Sequence, residues 1–229
     1  MKTIGLLGGM SWESTVSYYT LLNRMTRQRL GGLHSAKILL YSFNFAEIEA
    51  LQNQGDWDRA TELMVAAAEN LESAGADCLL IGTNTMHRMA DEVASALTIP
   101  LLHIADVTAQ AVNERGARAP LLLATKYTME EAFYRDRLRK NGVTALIPQP
   151  LDRETVHRVI YDELCQGLVL PASKRAYLDI VARAIELGAD SVILGCTEVA
   201  LLVAASDFSV PTFDTTTLHA QAAIELALG

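Results

Sequence analysis

Short apolar runs along the chain alternate with longer segments in which apolar residues return at helical spacing. The runs fall at residues 3–7, 37–41, 77–81, 120–124, 143–147 and 191–194. Segments 14–29, 58–73, 128–140, 153–164 and 173–187 carry the helical period. Short continuous apolar runs suit strands buried on both faces. Their alternation with helices predicts an α/β fold of mostly parallel sheets flanked by helices. Ligands in such sheets gather outside the carboxyl ends of the strands. The residues just after each run are therefore the first candidates for chemistry.

One stretch occurs twice. Residues 74–85 read Ala-Gly-Ala-Asp-Cys-Leu-Leu-Ile-Gly-Thr-Asn-Thr, and residues 187–198 read Leu-Gly-Ala-Asp-Ser-Val-Ile-Leu-Gly-Cys-Thr-Glu. Each is a helix end, a Gly-Ala-Asp turn, four apolar residues, a glycine and a polar group. Gly75 precedes Thr83 by eight positions, as Gly188 precedes Cys196. A weaker echo relates Leu6-Leu7 and Tyr18 to Leu122-Leu123 and Tyr134. The period is too long for a solenoid, so it predicts two pseudo-symmetric lobes. We expect the first over residues 1–112, with 209–229 packing back on it, and the second over 113–208. Thr83 and Cys196 then hold equivalent strand ends, on opposite walls of a cleft.

Composition narrows the chemistry. The net charge of −8 argues against a nucleic-acid surface, which needs clustered Lys and Arg. No apolar run is long enough to span a membrane, and Gly8-Gly9 interrupts the N-terminal apolar stretch too early for a signal peptide. Three cysteines, Cys78, Cys165 and Cys196, show neither disulfide nor zinc spacing. No motif for pyridoxal phosphate, nucleotide or metal is present, so no cofactor is expected. A cytoplasmic enzyme acting on a small molecule is the expectation.

Cys196 carries the strongest signal. It follows Gly195 at a strand end, where the start of a helix would lower the thiol pKa and Gly195 would let a ligand approach the backbone. Thr83, Asn84 and Thr85 form the first-lobe counterpart, with hydroxyl, amide and backbone N–H groups suited to a carboxylate as well as to capping a helix. Gly8-Gly9 suggests close backbone approach to a small ligand, with Met10 as a wall. Cys78 lies within a strand pattern and belongs to the core. His87 and His103 sit near strand ends and are expected to be structural, and His34, His157 and His219 stand out in no pattern.

Three motifs together resemble the aspartate/glutamate racemase family, whose members need no pyridoxal phosphate. They are Gly8-Gly9-Met10-Ser11-Trp12-Glu13-Ser14-Thr15, Thr83-Asn84-Thr85-Met86-His87 and Gly195-Cys196-Thr197-Glu198. The resemblance spans essentially the whole chain. It implies a two-lobe fold, a homodimer and two cysteines that exchange protons with opposite faces of Cα. The late cysteine falls on Cys196 and the early one on Thr83, a departure, because a threonine hydroxyl is a poor base near neutral pH. The resemblance assigns Cys196 to the L-enantiomer, so L-substrates should be processed better than D-substrates. Substrate contacts are expected from Met10, Asn84, Thr85, Thr197 and Glu198, and the resemblance implies further ones from Gln52 and from position 165. There Cys165 stands where relatives often have a lysine that meets the side-chain carboxylate, so strict acidic specificity is not implied. The main expectation is a racemase of L-aspartate or L-glutamate. A single-cysteine decarboxylase or isomerase on the same scaffold, and a binding protein without turnover, are the alternatives.

Overall fold

The structure is a computed structural model that describes residues Met1–Gly229. In chain order the first elements are β1 (Thr3–Gly8), α1 (Trp12–Leu30), β2 (Lys37–Ser42), α2 (Phe45–Gln54), α3 (Trp57–Ser73), β3 (Cys78–Ile81), α4 (Ala90–Ser95) and β4 (Leu101–Leu102). They are followed by α5 (Ile104–Glu114), β5 (Pro120–Leu123), α6 (Lys126–Glu130), α7 (Ala132–Lys140), α8 (Pro150–Asp162), α9 (Pro171–Glu186), β6 (Ser191–Leu194), α10 (Val199–Leu202), β7 (Thr212–Asp214) and α11 (Thr215–Leu228). The chain divides into two units, one of residues 1–103 with 219–229 and one of residues 104–218.

The first unit holds a parallel sheet in the order β2-β1-β3-β4. Strand alternation sends Ile4, Leu6, Cys78 and Leu80 to one face, where Tyr18 and Leu22 of α1 meet Ala220, Ala223, Ile224 and Ala227 of α11. Leu7, Leu79 and Ile81 point to the other face, toward Met64, Ala67, Ala68 and Leu71 of α3. The second unit holds a parallel sheet in the order β5-β6-β7, with one core that includes Leu121 to Ala124, Tyr134, Val156, Tyr177 and Ile193.

The repeat is physical. Gly75 and Gly188 both have left-handed backbones, φ 96° and 103°, which a side chain would strain. Asp77 accepts from the Thr3 amide at 2.6 Å, and Asp190 accepts from the Arg118 amide at 2.6 Å. At the far ends of the strands, the Gly82 amide donates to Leu7 O and the Gly195 amide to Leu123 O, both at 2.8 Å. Each turn thus ties a helix end to the start of a neighbouring strand, and each glycine ties the end of the run to that same neighbour.

Several expectations change. The first boundary lies at 103/104 and not at 112/113, because Ile104, Ala105, Ala109 and Val112 of α5 join the core of the second unit. Residues 209–218 also stay with that unit, because β7 pairs with β6, and only 219–229 return to the first. The run at 143–147 makes a single bridge, Leu146 to Leu121, before Pro148 and Pro150 end the pairing. The segment 128–140 is two helices, broken at Glu131, whose backbone is extended. No helix is long and apolar enough to cross a membrane.

Candidate active site

Two residues beyond the last residue of β6, the chain presents Cys196 in a bend that precedes α10. Its side chain is buried, as are Thr197 and Glu198. The thiol Sγ–H donates to Glu198 Oε2 at 2.9 Å, and the Thr197 hydroxyl donates to the same oxygen at 2.7 Å. One carboxylate thus holds a thiol and a hydroxyl at the strand end. The thiol lies well above the ordinary cysteine range, first through burial and then through the Glu198 charge, Cys165 and the Glu198 side-chain bond. The expected lowering by a helix start is not found. The helix begins three residues later and has four residues, too little to outweigh burial beside a carboxylate.

The surroundings of Cys196 are aromatic and thiol-bearing. Cys165 is half-buried in the short 3-10 turn Leu164–Gln166 after α8. Burial pushes the Tyr161 phenol up, and Cys196, Tyr127, Cys165 and Glu198 add to it. Burial also pushes up Tyr177, whose hydroxyl donates to Val156 O at 3.0 Å. The His157 ring rests against Tyr161 at 4.7 Å and edge-on to Tyr127 at 5.8 Å. Sequence reasoning passed over Tyr161, Tyr127 and His157, because nothing local joins positions 127, 157 and 161 to position 196.

In the first unit, Thr83 follows β3 by two residues and is half-buried, whereas its neighbours Gly82, Asn84, Thr85, Met86 and His87 are buried. Asn84 stands at the start of the 3-10 turn Thr85–Met89, yet its side chain does not cap it. The capping expected there is absent. Met10 is buried with the core of the first unit, and Gln52 is buried with its Nε2 donating to the Met86 sulfur at 3.2 Å. Met10, Gln52, Asn84 and Thr85 therefore belong to the unit of Thr83, and Cys165, Thr197 and Glu198 to the unit of Cys196.

Two of the motif glycines sit in tight packing. A Cβ at Gly9 would meet the Phe43 backbone at 2.3 Å, and one at Gly195 would meet Leu122 Cδ1 at 2.6 Å. These glycines make room for the protein's own packing. Cys78 is core as expected, and burial pushes its thiol up to about 11. His219, which stood out in no pattern, is fully buried and bonded to Tyr18 and to the Leu102 carbonyl.

Comparison with known proteins agrees with this architecture. The structure matches a Yersinia pestis protein named as a candidate Asp/Glu racemase at 50% identity and TM-score 0.93, with all of both chains covered. An aspartate racemase homologue from Pyrococcus horikoshii OT3 matches at 34% identity and TM-score 0.87, again over both whole chains. The broad specificity amino-acid racemase RacX of Bacillus subtilis is 23% identical over 180 residues, 76% of this chain and 74% of its own. The model of the Asp/Glu/Hydantoin racemase family matches residues 7–223, a span that takes in both strand ends, and the chain belongs to that family.

Proposed function

We propose that this protein is a cofactor-independent racemase of amino acids, with L-aspartate and L-glutamate as its main substrates and tolerance for other side chains. The observation that carries the reading is the Cys196 thiol donating to Glu198 at 2.9 Å at the end of β6. Glu198 accepts the thiol proton, and the thiolate removes the Cα proton of the L-substrate. A thiol with a raised pKa gives a thiolate of greater basicity, which suits a weakly acidic Cα–H. Asn84 and Thr85 supply neutral donors for the substrate carboxylates, Thr197 lines the site with its hydroxyl turned to Glu198, and Met10 and Gln52 shape the side-chain pocket. Position 165 offers a thiol and no cation, which fits relaxed specificity, as does the broad specificity in the name of RacX.

Thr83 serves the opposite face of Cα, directly or through water. A hydroxyl delivers a proton more readily than it removes one from carbon at neutral pH. Cys196 should therefore exchange the L-substrate proton with solvent faster than the protein racemises it. The test is incubation of the protein with L- and D-amino acids in deuterated water, without additives. We expect deuterium at Cα of L-aspartate and L-glutamate ahead of racemisation, and slower incorporation into the D-enantiomers. Equal exchange from both enantiomers would show that Thr83 is not the weak partner. Loss of carbon dioxide from a substituted malonate without any exchange would favour a single-thiol decarboxylase.

Two further features belong to this reading. The protein acts as a homodimer, supported by an apolar stripe on α1. Trp12, Val16 and Tyr19 share one helix face and are 64%, 53% and 57% exposed. It works in the cytoplasm, which fits three cysteines that are all free thiols.

A further inference from the structure

A cluster of three buried histidines lies behind Thr83. The His87 Nδ1 sits 2.8 Å from the Thr83 carbonyl oxygen. A carbonyl only accepts, so Nδ1 carries the proton and donates. The His87 ring rests against His103 at 4.6 Å and edge-on to His219 at 5.7 Å. His219 Nε2 donates to Leu102 O at 2.8 Å, which leaves its Nδ1 to accept from the Tyr18 hydroxyl, also at 2.8 Å. His87, His103, His219 and Tyr18 are all buried.

This is a costly way to fill a core, since each buried polar group needs its partner. Its local effect falls on one peptide. The Gly82 amide, on Leu7 O, anchors the chain just before Thr83, and His87 holds the carbonyl just after it. The matching carbonyl in the other unit, Cys196 O, is held by the backbone amide of Val199 at 3.1 Å. A side chain has taken over at Thr83 what the backbone does at Cys196.

We propose that His87 is a positioning residue for the Thr83 half of the reaction, holding the Thr83 peptide so that its hydroxyl keeps a fixed aim. The inference rests on the proposed racemase reading. His103, His219 and Tyr18 fix the His87 ring from behind. Burial first, then the His103 and His219 rings, hold the His87 pKa well below its usual value, so the ring remains a neutral donor through the physiological range. A hydroxyl with little intrinsic basicity depends on geometry more than a thiolate does, because misplacement by about 1 Å costs ~10²-fold.

The experiment compares wild type with His87→Asn, His87→Gln and His87→Leu, using L-aspartate and L-glutamate in deuterated water. Asparagine keeps an N–H donor near the place of Nδ1, glutamine carries its donor too far along, and leucine has none. In His87→Leu and His87→Gln, racemisation should fall by at least about tenfold through kcat, with KM little changed. Cα exchange of the L-substrate, which Cys196 performs alone, should stay within about twofold of wild type. His87→Asn should recover most of the lost racemisation. A fall of exchange and racemisation together, equal behaviour of the Asn and Gln variants, or unchanged racemisation in His87→Leu would each overturn the positioning role. A wild type that exchanges no L-substrate proton would overturn the racemase reading and this inference with it.

Discussion

The strand ends at Thr83 and Cys196 share a scaffold and differ in what they deliver. Both follow a Gly-Ala-Asp turn with a left-handed glycine, and both are preceded by a glycine amide bonded to the neighbouring strand at 2.8 Å. At Cys196 the group is a thiol with a carboxylate directly on it. At Thr83 it is a hydroxyl whose own peptide is held by an imidazole. The backbone is alike at the two strand ends and the side-chain chemistry is not. The difference teaches that one backbone frame can hold a thiol through a side-chain carboxylate at one strand end and a peptide through an imidazole at the other.

The largest expected effect comes from removing the thiol. Cys196→Ser should lower both L-side exchange and racemisation by ~10³-fold or more, because a hydroxyl is a far weaker acid and base. Thr83→Val should lower racemisation strongly and leave L-side exchange nearly intact. Rate measurements on both variants in deuterated water check the contrast, and equal losses in the two would erase the division of labour.

A smaller effect should follow Glu198→Gln. The amide cannot accept the thiol proton as a charge, so turnover should drop by ~10²-fold. Glu198 is also one of the causes that raise the thiol pKa, so its neutralisation should move thiolate formation to lower pH. The rate of Cys196 alkylation by iodoacetamide against pH reads that displacement. An unmoved alkylation profile would show that burial alone sets the thiol.

The smallest effect concerns stability, and it falls on the histidine-backed half. Burial holds His219 at about 4, below the ordinary 6.5. The unfolded chain takes up the proton first as pH falls, so this stability is present above pH ~6.5 and lost toward pH 4. The shift corresponds to roughly 3 kcal/mol. Urea denaturation across that range should show the loss, and His219→Gln should give a less stable protein with a flatter dependence on pH.

Much of the fold was legible because the repeat is written in adjacent residues. The Gly-Ala-Asp turns, β3, β6 and the two strand-end residues all lie within twelve-residue stretches. β4 and β7 were not legible, because strands of two and three residues exist through their pairing with β3 and β6 and not through a run of their own. The break at Glu131 also escaped, since the apolar period continues across it. At the candidate site, Thr197 and Glu198 were singled out beside Cys196, but the bond from the Cys196 thiol to Glu198 was not legible, because no sequence pattern announces it. The histidine cluster joins positions 87, 103 and 219, and no local pattern links residues so far apart.

The return of residues 219–229 to the first unit has a bearing on how the chain matures. Residues 104–218 form a continuous stretch that holds all the partners of its own core as soon as it has left the ribosome. The first unit is made earlier yet cannot close. One face of its sheet lacks Ala220, Ala223, Ile224 and Ala227, and the Lys2 amide still lacks Ala227 O. Contacts so distant in sequence are slow to form, and the apolar face waits uncovered until the last turns of α11 are made. The half of the molecule that is synthesised first is therefore the half that is completed last.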